Sequence, residues 1–68
     1  MNIRSERVRL GLTQEELAKK IGVSTNTFAK YEQNFLTVPG ASLLALADLF
    51  NCSADYLLER TQERGRAS

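Results

Sequence analysis

The chain of 68 residues has no histidine, one cysteine and one proline. Without histidine, the commonest general base and metal ligand is missing. A lone cysteine, Cys52, can neither close an internal disulfide nor complete a zinc ligand set. No apolar run approaches the ~18 residues that a membrane span needs. Arg4, Glu6, Arg7 and Arg9 interrupt any apolar segment near the N-terminus, so no signal peptide is expected. A cytoplasmic location follows by default. The chain also lacks the length for more than one domain, and one so small has little room for a deep catalytic cleft. With no carboxylate pair in a foreseeable cleft either, enzymatic activity is not expected, and neither is a cofactor or a metal.

An excess of charge of either sign is lacking too. The net charge is only +1, so any argument from charge has to rest on distribution. Residues 1 to 34 carry Arg4, Arg7, Arg9, Lys19, Lys20 and Lys30 against Glu6, Glu15, Glu16 and Glu32, a balance of +2. Residues 41 to 58 carry only Asp48 and Asp55, a balance of −2. The positive half is compatible with a polyanion partner, and equally with ordinary solvated surface. A low net charge implies modest non-specific affinity and a shallow salt dependence for any nucleic-acid binding.

What is present is a compact all-helical pattern. Apolar residues make up 43% of the chain, enough for a core. Five helices and no strands are expected, near 3–10, 14–21, 25–33, 41–50 and from a cap at Ser53 to about 59. Asn2 is the expected cap of the first. Asn34 to Gly40 is read as a loop, closed by Pro39, which cannot sit inside a helix. Leu43, Leu44, Leu46, Ala47, Leu49 and Phe50 make an apolar set wider than one stripe, so the fourth helix should be the most buried. Asn51 can close it in a left-handed conformation. The domain should occupy residues 1 to 60, with 61 to 68 a mobile polar tail.

The richest stretch runs from Thr13 to Asn34. Thr13 and Ser24 each place a hydroxyl at a helix start, and Glu16 stands three residues after Thr13 as in a capping box. Leu17, Ala18 and Ile21 form one apolar stripe, and the small Ala18 allows a second helix to cross closely. Gly22 follows the last apolar position, where a left-handed turn ends a helix at little cost. The next helix should turn Phe28 and Tyr31 inward and Thr25, Asn26, Thr27, Ala29 and Lys30 outward. Two helices joined by such a turn, with short polar groups on the outer face of the second, have the division a helix-turn-helix needs to read base edges in a major groove.

This stretch resembles the helix-turn-helix of the lambdoid phage repressor and Cro family, also called Xre-type. Ile3, Arg7, Val8, Leu10, Gly11 and Leu12 look like that family's first helix and its exit. Leu43, Leu46, Ala47, Phe50, Cys52 and the run Ser53-Ala54-Asp55-Tyr56-Leu57-Leu58 look like its fourth and fifth helices. About residues 3 to 58 are covered. Cys52 falls where the family has a small apolar residue, and free cysteine behaves as a small hydrophobe. A buried structural role is expected for it.

The resemblance implies roles residue by residue. Thr25, Asn26, Thr27, Ala29 and Lys30 become the base readers, with Asn26 suited to a two-pronged contact with adenine and Lys30 to guanine. Thr25, Thr27 and Ala29 offer methyl groups to thymine. Gln14 would bond a phosphate and brace the start of the recognition helix. Arg7 would pair with Glu32, a fit for the planar fork of arginine, and fix that helix on its scaffold, with room to share a phosphate.

The loop departs from the family pattern. Where glycine and basic residues are common, this chain has Asn34-Phe35-Leu36-Thr37-Val38. Phosphate contact there falls to Gln33, Asn34 and Thr37, with Asn34 in a left-handed conformation. Phe35 and Leu36 either tuck against the core or form an apolar patch between subunits. Together with Tyr56 and Leu58 they are the candidate dimer contact.

The expected function is sequence-specific binding of double-stranded DNA as a repressor of phage or bacterial type. Weakly associating subunits would pair on a palindromic operator. A restriction–modification controller or an antitoxin would share this domain, and a protein-interaction module is the reading from another class. No appended domain is expected, so effector sensing, self-cleavage and a small-molecule ligand are not.

Overall fold

A computed structural model of the chain describes residues 2–59 and 63–65. Met1, Arg60 and, of the tail read as mobile, residues 61–62 and 66–68 lie outside the described residues. The described part is all-helical: α1 Ile3–Arg9, α2 Gln14–Ile21, α3 Thr25–Gln33, α4 Gly40–Phe50 and α5 Ala54–Leu57. A 3-10 turn, Phe35–Thr37, sits inside the segment expected to be plain loop. No helix among the described residues is long and apolar enough to cross a membrane.

Local chemistry sets the helix ends. Thr13 Oγ1 accepts from the Glu16 N–H at 3.1 Å while Glu16 Oε1 accepts from the Thr13 N–H at 2.9 Å, the reciprocal pair of a capping box. The bonds from Thr13 hold the Glu16 carboxyl below its ordinary pKa. Gly22 ends α2 with φ +76°, and the Val23 N–H then reaches back to the Ala18 carbonyl. Ser24 caps α3 and Ser53 caps α5 by accepting from the Thr27 and Tyr56 N–H groups. Asn51, at φ +52°, closes α4 and lets the Cys52 N–H bond the Ala47 carbonyl.

Asn2 does something else. It makes no side-chain cap; its Nδ2 donates to the Tyr56 carbonyl at 2.7 Å and its backbone N–H to the Leu57 carbonyl at 3.0 Å. The start of α1 is therefore stitched to α5. Two tertiary bonds take the place of the local one.

Ile3, Leu17, Ala18, Phe28, Tyr31, Leu46, Ala47, Phe50, Cys52 and Leu57 form one core drawn from all five helices and the α4–α5 turn. Phe28 and Tyr31 meet edge-on, with ring centroids 6.3 Å apart. Full burial of a residue such as Phe28 is worth roughly 1.5–3 kcal/mol. α4 is less enclosed than its composition suggested. Leu46, Ala47 and Phe50 are buried, whereas Leu44 and Leu49 are exposed. A helix on the outside of so small a body has core on one side only, so part of its apolar set must face out.

α5 is shorter than expected, ending at Leu57 with Glu59 in a left-handed conformation. Arg64 lies against the body. The Arg64 carbonyl accepts from the Ser53 N–H at 2.7 Å, and its guanidinium bonds Glu6 and the Phe50 carbonyl.

Candidate nucleic-acid interface

α2 and α3 pack closely across Gly22, and the core residues Phe28 and Tyr31 fix which way α3 faces. With those two turned inward, Asn26, Ala29, Lys30 and Gln33 fall at i, i+3, i+4 and i+7 on the other side. Thr25, Asn26, Lys30 and Gln33 are exposed; Thr27 and Ala29 are half-buried. Thr27 is drawn toward the helix start, where the Ser24 hydroxyl donates to Thr27 Oγ1 at 2.9 Å. Thr25, Asn26 and Lys30 are the base-reader candidates most open to a groove.

Behind this face, Glu32 is the point where three helices meet. Arg7 Nε from α1 donates to Glu32 Oε2 at 2.6 Å, and Arg7 Nη2 approaches Oε1 at 3.5 Å. Gln14 Nε2, at the first position of α2, donates to Glu32 Oε1 at 2.9 Å. The third arm of Arg7, Nη1, donates to the Leu12 carbonyl at 2.8 Å. The Arg7 and Glu32 side chains are only 14% and 7% exposed. Both charges are thus neutralised and largely removed from water. Sequence reasoning paired Arg7 with Glu32 and gave Gln14 to a phosphate; the bond from Gln14 to Glu32 ties α2 to the end of α3 as well.

The loop after α3 is arranged differently from the sequence expectation. Asn34 is extended, at φ −150°, not left-handed. Its Oδ1 accepts from the Leu36 N–H at 3.0 Å and caps the 3-10 turn, which a left-handed Asn34 would not begin. The Thr37 hydroxyl donates to the Asn34 carbonyl at 2.7 Å and lies 3.2 Å from that of Lys30. Asn34 and Thr37 are exposed, but both side chains already serve the turn. Phe35 is 49% and Leu36 78% exposed, so the alternative of tucking into the core is not taken. Of the other two candidate dimer contacts, Leu58 is half-buried and Tyr56 turns its hydroxyl to Glu6.

Glu6 is the residue the sequence reading passed over. It is 3% exposed and accepts from Arg9, from the Tyr56 hydroxyl at 3.1 Å and from Arg64 at 2.6 Å. Burial pushes its carboxyl up, but the bonds from Arg64, Arg9 and Tyr56 outweigh that and hold it below the ordinary value. Burial and the bond to Glu6 push the Tyr56 phenol up, so it remains a donor. An acid one turn after Ile3, on the inward face of α1, was the available signal. Arg4 was missed in the same helix; it lines a cleft of about 290 Å³ with Arg7, Gln14, Ala29, Glu32 and Gln33. Its spacing of three from Arg7, on one side of α1, was the clue. Among the described residues no cluster of His, Cys, Asp or Glu is placed to hold a metal ion.

Comparison with known proteins agrees with this architecture. The family model described as helix-turn-helix matches residues 3–57. The chain is 33% identical over 60 residues to the HTH-type transcriptional regulator ImmR of Bacillus subtilis, covering 88% of this chain and 47% of that protein. It is 39% identical over 57 residues to the repressor protein C2 of Salmonella phage P22, covering 84% of this chain and 26% of that one. A third relative, the uncharacterized HTH-type transcriptional regulator YobD of Bacillus subtilis, is 38% identical over 52 residues, covering 76% of this chain and 46% of YobD. The chain thus spans less than half the length of each of these relatives. No solved structure matches.

Proposed function

The chain belongs to the helix-turn-helix family of transcriptional regulators, a DNA-binding and not an enzymatic family, and on that premise we propose that it is a repressor reading one specific sequence of double-stranded DNA. Two copies share a roughly palindromic operator, with half-sites about one helical turn apart. α3 enters the major groove and offers Thr25, Asn26, Thr27, Ala29 and Lys30 to base edges. Gln14, Gln33, Asn34 and Thr37 hold the flanking phosphates, and the Arg7–Glu32 pair holds the angle of α3. The protein acts in the cytoplasm, where its DNA is.

One observation carries this reading. The outer face of α3 is lined with short polar groups and one lysine, while Phe28 and Tyr31 lock the opposite face into the core. A rigid helix with a polar, unfilled face is what direct readout needs. The likeness to the P22 repressor supports repression over activation. A single domain of this size touches few base pairs, which supports pairing on the operator.

Selection of bound sites from a random duplex pool tests the proposal. Enrichment of a two-fold symmetric motif supports it; a pool that stays random after repeated rounds sinks it. The exposed Phe35 and Leu36 favour one other reading, a module that binds protein through this loop. That reading expects no enriched motif, and loss of a protein partner in Leu36→Glu.

A further inference from the structure

Arg7 and Arg4 both border the cleft between α1, α2 and α3, yet they differ in what they have left to give. Arg7 commits Nε and Nη2 to Glu32 and Nη1 to the Leu12 carbonyl, and is nearly buried. Glu32 is satisfied in turn by Arg7 and Gln14. Arg4 is exposed, and among the described residues it engages in no hydrogen bond or ion pair. With two arginines and one glutamate the cleft carries one unmatched positive charge, and it belongs to Arg4.

The position of the cleft suggests the anion that meets this charge. Ala29 and Gln33 line it, and both belong to the stripe of α3 that also carries Asn26 and Lys30. The cleft is therefore the continuation of the reading face onto α1. A duplex whose bases meet that stripe presents its sugar-phosphate backbone along the stripe's border, and a guanidinium fork suits two phosphate oxygens.

We propose that Arg4 is a backbone clamp: its guanidinium takes a DNA phosphodiester at the mouth of the α1–α2–α3 cleft, with the Gln33 side chain beside it. Arg7, by contrast, spends Nε, Nη1 and Nη2 on Glu32 and the Leu12 carbonyl and braces the scaffold. The inference rests on the DNA reading given above. It adds a residue of α1 to the interface.

The test compares wild type, Arg4→Ala and Arg4→Lys by fluorescence anisotropy over a range of salt. Two duplexes are used, one selected from a random pool and one of scrambled sequence. A phosphate contact is blind to sequence, so Arg4→Ala should weaken both duplexes by a similar factor, up to about tenfold at low salt. Its plot of log affinity against log salt should be shallower by about one. Arg4→Lys should keep the wild-type slope. Thermal melts of the three proteins should coincide, because Arg4 has no partner among the described residues.

An unchanged slope in Arg4→Ala overturns the clamp while leaving the DNA reading intact. Weakening on the selected duplex alone also overturns it, since Arg4 would then be reading a base. If wild type binds neither duplex, the DNA reading itself fails and the clamp falls with it.

Discussion

Arg64 and Glu6 stand 58 positions apart in the sequence and are joined at 2.6 Å, Arg64 Nη2 donating to Glu6 Oε1. The same nitrogen donates to the Phe50 carbonyl at 2.7 Å, and the Arg64 carbonyl accepts from the Ser53 N–H. One residue thus bridges α1, the end of α4 and the start of α5. Arg64→Ala should lower the melting temperature, and the deficit should shrink in high salt because the lost pair is partly solvated. Identical melts at low salt would show that Arg64 adds nothing to the fold.

Glu6 should give the protein an acid-sensitive limb. Its folded pKa lies below the ordinary value, so its contribution is present above the unfolded pKa, near about 4.3, and is lost as pH falls through the folded value. Glu6→Gln removes the charge partner of Arg9 and Arg64 and should cost about 1–3 kcal/mol at neutral pH. Denaturant titrations across acidic pH should then converge, mutant and wild type losing their difference as Glu6 protonates. Curves that stay parallel would mean that the carboxylate is not linked to folding.

Glu32→Ala should be the more damaging change. It strands Arg7, which is 14% exposed, and takes the acceptor from Gln14. Because Arg7 keeps some contact with solvent, the cost should fall at or below the low end of that for a broken buried pair, about 2–3 kcal/mol. DNA affinity should fall with it, since α3 loses its ties to α1 and α2. A mutant with wild-type stability but weakened binding would reassign Glu32 from scaffold to interface.

Asn26→Ala should separate reading from holding. On the selected site it should lose roughly 1–3 kcal/mol, with little change on scrambled DNA. Equal loss on both duplexes would place Asn26 among the phosphate contacts.

Leu36 and Leu58 test how the subunits meet. Leu36 is mostly exposed and Leu58 half-buried beside the end of α5. Leu36→Glu should leave the melt unchanged and abolish cooperative two-to-one binding to an operator with two half-sites. Leu58→Glu should impair both, because it also disturbs α5. In free solution wild type should sediment as a monomer or a weak dimer, as a small interface predicts. Cooperativity that survives both substitutions would move the contact elsewhere.

The helix starts and stops were legible in the sequence because they are local. Thr13 with Glu16, Gly22, Ser24, Asn51 and Ser53 act within four or five residues, where backbone geometry leaves few alternatives. The inward turn of Phe28 and Tyr31 was legible too, since helical periodicity decides which side chains share a face. The pairing of Arg7 with Glu32 was implied by resemblance, not by spacing. Pairings across long stretches of chain have no such code. That Asn2 would stitch to α5 in place of capping α1 depended on where Tyr56 and Leu57 came to lie. That buried Glu6 would gather Arg9, Tyr56 and Arg64 depended on three separate segments converging. Which of the two arginines that line the cleft keeps a free charge depended on the acid at the far end of α3. A hydrogen bond falls away within a fraction of an ångström, so only the assembled tertiary structure could decide which donors meet which acceptors.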